Sequence, residues 1–209
     1  MTEMSEESLR ALEPEDAKAR LRAAIRRERL HRSERRRLEA AAALRDHVLA
    51  LPAVKAAACV SVYASRPHEP GTSPLIEALH HRGVRVLVPL LGDGLQRGWG
   101  EYRGIDDLIE RAPGRPPEPS GAFLPSSALA DAQVIVVPAL GVDTSGTRLG
   151  QGGGWYDRAL ADARTDALVV ALTFSNEVHD AATGPLPRER HDVGVDLVIT
   201  PDGGLALPA

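Results

Sequence analysis

Apolar positions along the chain follow two different rhythms. Between Glu15 and Pro52 they recur at roughly helical intervals, at Leu21, Ile25 and Leu30 and then at Leu38, Leu44, Val48 and Leu49. That spacing lays a stripe along one helical face. Ser33, followed by Glu34, suits an N-cap between two such helices, and Pro52 stops the second. Further on, the rhythm gives way to short unbroken apolar runs at 57–64, 84–90, 134–138, 167–174 and 195–200. Runs of this length without alternation read as strands buried on both faces. Thr72, with Pro74 two positions on, opens a helix that stops at Gly83. Strand, helix and strand then fit the roughly 30 residues of a right-handed βαβ unit. Further helices are expected at 154–163 and 175–181. Between Leu91 and Pro125 the pattern weakens, with Trp99 and Tyr102 on a short strand and a period-free proline tract from Pro113 to Pro119. These elements imply an α/β fold, one three-layer domain over 15–209 with a mostly parallel sheet flanked by helices, behind a frayed tail over 1–14.

Composition narrows the class. Hydrophobic residues make up 43% and charged residues 26% of the 209, as in ordinary globular proteins. No apolar stretch approaches the roughly 20 residues of a bilayer-spanning helix. The polar, acidic start carries no secretory signal, and the lone Cys59 allows no disulfide framework, so the cytoplasm is the expected compartment. Net charge is −4, yet residues 18–37 alone carry +8. An arginine-rich helix on an acidic body could meet RNA, an anionic membrane or a phosphate-bearing ligand. Most of Arg26 to Arg37 reads as a solvated face with intrahelical glutamate pairs, so neither nucleic acid nor membrane is expected as a partner. Lysine is rare, at Lys18 and Lys55 only.

Chemistry concentrates in Gly141–Leu160, GVDTSGTRLGQGGGWYDRAL, which follows a buried strand and leads into a helix. Gly150, Gly152, Gly153 and Gly154 free backbone N–H groups to approach an anion. Arg148 adds a permanent charge whose fork suits phosphate oxygens. The following helix would add its positive end, and Asp157 is a hard oxygen ligand placed for Mg²⁺. Anion cradle, cation and metal ligand together indicate a nucleotide site. It is neither a P-loop, which needs Gly-Lys-Ser/Thr, nor a dinucleotide fingerprint, since Trp155 stands where a glycine is required.

The run RLGQGGGWYDR, preceded by VVPALGVDTSGT, resembles the motif of 5-formyltetrahydrofolate cyclo-ligases. Lys18-x-x-Leu21-Arg22 resembles that family's N-terminal nucleotide-binding pattern, and SVYASRPHEPGT with Glu69 its substrate-binding strand end. Glu118-Pro119 and GVDLVIT, with Asp196, match in order further along, so the likeness runs from Lys18 to Pro201. The resemblance implies a Rossmann-like fold and an ATP- and Mg²⁺-dependent cyclisation of 5-formyltetrahydrofolate to 5,10-methenyltetrahydrofolate through a phosphorylated formyl intermediate. It implies that Lys18, Arg22 and the stretch Arg148, Leu149, Gly150, Gln151, Gly152, Gly153, Gly154, Trp155 and Tyr156 hold ATP, with Arg148 catalytic. Ala64, Glu69 and Gln151 to Trp155 would border the folate, and Asp157 with Asp196 would bind Mg²⁺. Ligands lie at the carboxyl ends of parallel strands, which places Ala64, Arg148 and Asp196 on one rim. A monomer is expected. The chain departs from its relatives at Gly153, where some carry lysine, at Trp155 for tyrosine, and at Val142 for phenylalanine.

Other residues read more plainly. Cys59 suits a small core position and His80-His81 a helix end, while His68, adjoining Glu69, could line the folate pocket and Asp143 is placed either to brace the loop or to bind. Without a Gly-x-Ser-x-Gly elbow, a hydrolase triad has no support. The competing readings are a non-catalytic nucleotide-binding relative acting as a metabolite sensor, and an RNA-associated protein using residues 18–37.

Overall fold

A computed structural model describes residues 13–92, 96–111 and 115–208. The 1–14 tail therefore falls mostly outside the described residues, although helix α1 (Pro14–Leu30) already begins at its last position, with Pro14 in the first turn. Helix α2 (Glu34–Ala50) starts at Ser33, whose side chain accepts from the Arg36 amide as the cap expectation required. It buries Ala40, Ala41, Leu44, Val48 and Leu49, and α3 (Pro52–Ala56) follows directly.

Strand β1 (Cys59–Val62) is buried throughout. It crosses through α4 (Ser73–His81) to β2 (Arg85–Leu91), and the turn uses Gly83 at φ +77°. The weak tract contributes β3 (Arg97–Glu101), a short pair β4 (Leu108–Ile109) and β5 (Glu118–Pro119), and β6 (Leu124–Pro125). Trp99 is fully enclosed on β3. Then come β7 (Val134–Pro138) and a hairpin of β8 (Gly141–Asp143) and β9 (Arg148–Leu149), where a loop was expected. Helix α5 (Trp155–Ala159) is shorter than the sequence pattern suggests and ends in a 3-10 turn at Leu160–Asp162. After β10 (Leu168–Leu172) the expected helix at 175–181 is instead a 3-10 turn, Ser175–Glu177, running into β11 (Val178–His179). The reason lies in Glu177, whose side chain folds back to accept from the Phe174 amide and two Arg29 nitrogens. The chain closes with β12 (Leu197–Thr200) and β13 (Gly203–Ala206).

The main sheet runs β13-β12-β10-β7-β1-β2-β3-β6. Its five central strands are parallel, while β13, β3 and β6 are antiparallel additions at the edges. From β1 the chain winds outward to β2, and from β7 it winds the other way through β10 to β12. The winding therefore reverses between β1 and β7, the place where open α/β sheets leave a crevice at the carboxyl edge. A second sheet, β11-β8-β9, stands beside that crevice and carries the glycine turn. Its turn is braced by fully buried Asp143, whose Oδ1 accepts from the Ser145 and Thr147 amides and the Ser145 hydroxyl, and whose Oδ2 accepts from the Leu186 amide. Asp143 is thus a loop brace. Among the described residues no helix is long and apolar enough to cross a membrane.

Candidate functional site

A cavity of about 510 Å³ opens at this reversal. Its walls are the ends of β1 (Tyr63, Ala64), β2 (Leu90, Leu91) and β7 (Pro138), the turn from Arg148 to Asp157, the α1 side chains Lys18 and Arg22, and the segment Glu189–Asp192. Glycine is required in the turn where the backbone enters left-handed territory, at Gly152 (φ +98°) and Gly154 (φ +55°). Gly153 faces open space, so a side chain there would meet nothing within 4 Å. The helix after the turn has only five residues, which makes its dipole a smaller contributor than the sequence suggested.

Positive charge is already deployed. Lys18 is 3% exposed and its Nζ lies 2.6 Å from Glu189 Oε2 and 2.5 Å from Asp192 Oδ2. Burial alone would pull its pKa down, but the hydrogen bonds and charges of Asp192 and Glu189 outweigh that and hold the ammonium above its ordinary value. Arg148 is buried. Its Nη2 donates to Asp157 Oδ1 at 2.7 Å and its Nη1 to the Pro138 carbonyl at 3.4 Å, while Nε has no protein partner. Arg22 donates through Nε to the Gly150 carbonyl at 3.1 Å and pairs with Glu15. The turn is thus tied to α1 and to the strand edge before any ligand arrives.

On the opposite wall, Glu69 accepts from Gln151 Nε2 at 2.7 Å through Oε1 and from the Arg66 amide at 2.8 Å through Oε2. Ala64 forms the adjoining floor. Trp155 stacks edge-on against Trp99 and Tyr156, with ring centroids 4.9 and 4.7 Å away. The Tyr156 hydroxyl is buried without a partner, and burial drives its pKa well up, so the phenol stays neutral. Leu149 is buried behind the turn, its side chain in a small cluster with Ile25, Leu140 and Leu186.

The sequence-based site therefore assembles, with one correction. Asp196 does not reach the cavity. It sits just before β12, at the amino edge of the sheet, where its Oδ2 accepts from the Val169 amide at 2.8 Å. Parallel strands send their two ends to opposite rims, so a residue before β12 cannot share a rim with Ala64. Asp192 instead lines the cavity beside Glu189 and Asp157, and sequence reasoning missed it. Glu189, His191 and Asp192 bring ligand atoms within 4.8 Å of one another. Asp157 joins the same corner through the Val193 amide, which donates to its Oδ1 at 3.3 Å. Burial would raise the Asp192 carboxyl, yet the Lys18 hydrogen bond wins and holds it below the usual range. Carboxylate oxygens of this kind suit a hard divalent cation such as Mg²⁺, which on binding here takes the place of the Lys18 ammonium now held between Glu189 and Asp192. The signal was present in Glu189-x-His191-Asp192, an acid, imidazole and acid within four positions.

Two further expectations change. His68 lines not this cavity but a smaller one of about 250 Å³ behind Glu69. The arginine cluster is in part the solvated face expected, with Arg26, Arg27, Arg35 and Arg36 exposed, but several of its members also engage the protein. Arg26 reaches Gln151, Arg29 is buried against Glu177, and Arg32 lies over the Phe174 ring at 3.8 Å. Only Arg35 with Glu39 forms an exposed pair of the expected i, i+4 kind. Cys59 is a buried core thiol, as expected.

A parallel sheet wound in two directions, with a crevice at the reversal and a cation-rich glycine turn on the lip, defines an α/β enzyme of the Rossmann-like kind. Comparison with known proteins narrows this. The model of the 5-formyltetrahydrofolate cyclo-ligase family matches residues 14–201, and the chain belongs to that family of ligases. It is 40% identical over 152 residues to a 5-formyltetrahydrofolate cyclo-ligase of Mycolicibacterium smegmatis, covering 70% of this chain and 75% of that one. With its Escherichia coli K12 counterpart the identity is 31% over 163 residues, 74% of this chain and 84% of the relative. The solved 5,10-methenyltetrahydrofolate synthetase of Aquifex aeolicus superposes with a TM-score of 0.77 at 26% identity, over 92% of this chain and 93% of that one.

Proposed function

We propose that this chain uses ATP to close 5-formyltetrahydrofolate into 5,10-methenyltetrahydrofolate, releasing ADP and phosphate. The formyl oxygen attacks the γ-phosphorus while the bond to the β-phosphate oxygen breaks. N10 then attacks the formyl carbon of the imidate phosphate, the carbon–oxygen bond breaks, and N10 loses its proton. An amide oxygen is a poor nucleophile and a poor leaving group, so the protein's task is alignment and charge neutralisation.

The residues divide that task. Lys18 and Arg22, one helical turn apart on α1, flank the triphosphate, and the amides of the Gly150–Gly154 turn close round it. Arg148, oriented by Asp157, faces the transferring phosphoryl oxygens. Glu69 accepts from the pterin N–H donors beside Ala64, and Gln151 to Trp155 border both substrates. Asp157 and Asp192, with Glu189, would hold Mg²⁺, which when bound supplies charge neutralisation to the phosphates. The observation that carries the reading is Gln151, which joins the glycine turn directly to Glu69, so that both substrates must meet within one cavity. Family membership and the retained carboxylates favour catalysis over a sensor role. Arg26, Arg29 and Arg32 are engaged with protein groups, which narrows the basic face the RNA reading needs. The test is direct. Purified protein given MgATP and 5-formyltetrahydrofolate should generate the methenyl absorbance band with one phosphate released per turnover; no band beside an active control enzyme would reject the proposal.

A further inference from the structure

Lys18, Arg22 and Arg26 recur every fourth residue along α1 and so form one stripe. Each meets a different part of the cavity wall. Lys18 takes the acidic corner, Arg22 the Gly150 carbonyl, and Arg26 the next residue of the turn. Arg26 is itself exposed, yet all its described contacts fall on Gln151: Nη2 to the backbone carbonyl at 2.7 Å, Nη2 to Oε1 at 3.0 Å and Nε to Oε1 at 3.3 Å. With both guanidinium contacts on the amide oxygen, the Gln151 NH₂ is turned toward Glu69 Oε1 at 2.7 Å. The flipped amide would set its donors against a cation and its oxygen against a carboxylate. Arg26 therefore fixes which way the amide points.

Glu69 needs that support. It follows His68, a non-glycine residue at φ +69°, so its local backbone occupies a sparsely populated region held by its surroundings. The remaining described hydrogen bond of its side chain comes from the Arg66 amide on the other oxygen. We infer that Arg26 is a positioning residue for the folate substrate, acting through Gln151 to hold Glu69 at the pterin side of the cavity while leaving the nucleotide side to Lys18 and Arg22. This rests on the proposed assignment of Glu69 to the folate.

The test measures dissociation constants calorimetrically for 5-formyltetrahydrofolate and for ATP, each alone, together with both KM values. Arg26→Ala should weaken 5-formyltetrahydrofolate binding and raise its KM by about tenfold, the lower end of what losing a supporting partner costs a ligating group. ATP binding should weaken clearly less than folate binding, since Lys18 and Arg22 are untouched and Arg26 meets the nucleotide turn only at the Gln151 carbonyl. Arg26→Lys, which keeps the charge but not the fork, should recover part of the loss. In a Gln151→Ala background, Arg26→Ala should add nothing, because the relay is already cut. Equal weakening of both ligands, no weakening of either, or full additivity with Gln151→Ala would overturn the inference. Wild-type protein that fails to bind 5-formyltetrahydrofolate would sink the functional proposal with it; wild-type binding matched by an unaffected Arg26→Ala would sink the relay alone.

Discussion

Arg29 offers the sharpest test of how α1 is held to the body, and hence of how the cationic stripe is positioned. Its guanidinium and the Glu177 carboxylate are each only 3% exposed. Nε and Nη2 donate to the two Glu177 oxygens, both at 2.7 Å, and Nη2 also donates to the Ala139 carbonyl at 2.7 Å. Glu177 in turn accepts from the Phe174 amide at 2.9 Å. Arg29→Ala strands a buried carboxylate with a single remaining donor and orphans the Ala139 carbonyl. Breaking a buried pair by removing one partner costs about 3–5 kcal/mol. For a chain of this size each kcal/mol lowers Tm by about 2–4 °C, so the drop should be about 6–20 °C. The double variant Arg29→Met, Glu177→Met should lose less than the single, because it leaves no charge behind. Urea unfolding at neutral pH, followed by circular dichroism, measures both. A single-variant loss under about 1 kcal/mol, or a double variant less stable than the single, would refute the reasoning, since either result would mean that no desolvated charge had been exposed.

Two other outcomes follow from the same geometry. Burial pushes the Cys59 thiol up to about 11. At about pH 8 it should resist a thiol-specific disulfide reagent until urea unfolds the chain, and rapid reaction of native protein would contradict its burial. Because the folded value of this acid is raised, the thiolate favours the unfolded chain, and Cys59 withdraws stability as pH climbs above its ordinary value of about 8.5. Asp192→Asn should raise the Mg²⁺ concentration for half-maximal turnover by about tenfold or more and, because it removes one of the two carboxylates on buried Lys18, should also lower the melting temperature, whereas Asp196→Asn should leave the Mg²⁺ requirement unchanged. An unchanged requirement in Asp192→Asn would remove that residue from the metal corner.

The parallel core was readable from sequence because the central strands are largely buried on both faces and so spell mostly apolar runs, as Val134–Pro138 does. The edges were not. Strand β13 is Gly-Gly-Leu-Ala, mostly exposed, and nothing in its composition distinguishes it from a tail. The β8–β9 hairpin hid in what looked like a loop because its register depends on Asp143, a polar residue doing a structural job. At the site, the glycine turn was visible through residue type and spacing, and Lys18, Arg22 and Glu69 through the family resemblance. Asp192 was not, because choosing between it and Asp196 requires knowing that the chain crosses from the carboxyl to the amino edge of the sheet between them. Arg29 was hidden for a related reason. A charged residue in a charged helix gives no sign that its partner, Glu177, lies 148 positions away.

All of this turns on where two ligands sit. A crystal structure with bound ADP, Mg²⁺ and 5-formyltetrahydrofolate measures it directly. The account requires the phosphates to lie against the Gly150–Gly154 amides between Lys18, Arg22 and Arg148, and the pterin to donate to Glu69 across Gln151. Nucleotide density elsewhere, with the turn's amides bound only to protein, or a pterin seated away from Glu69, would contradict it.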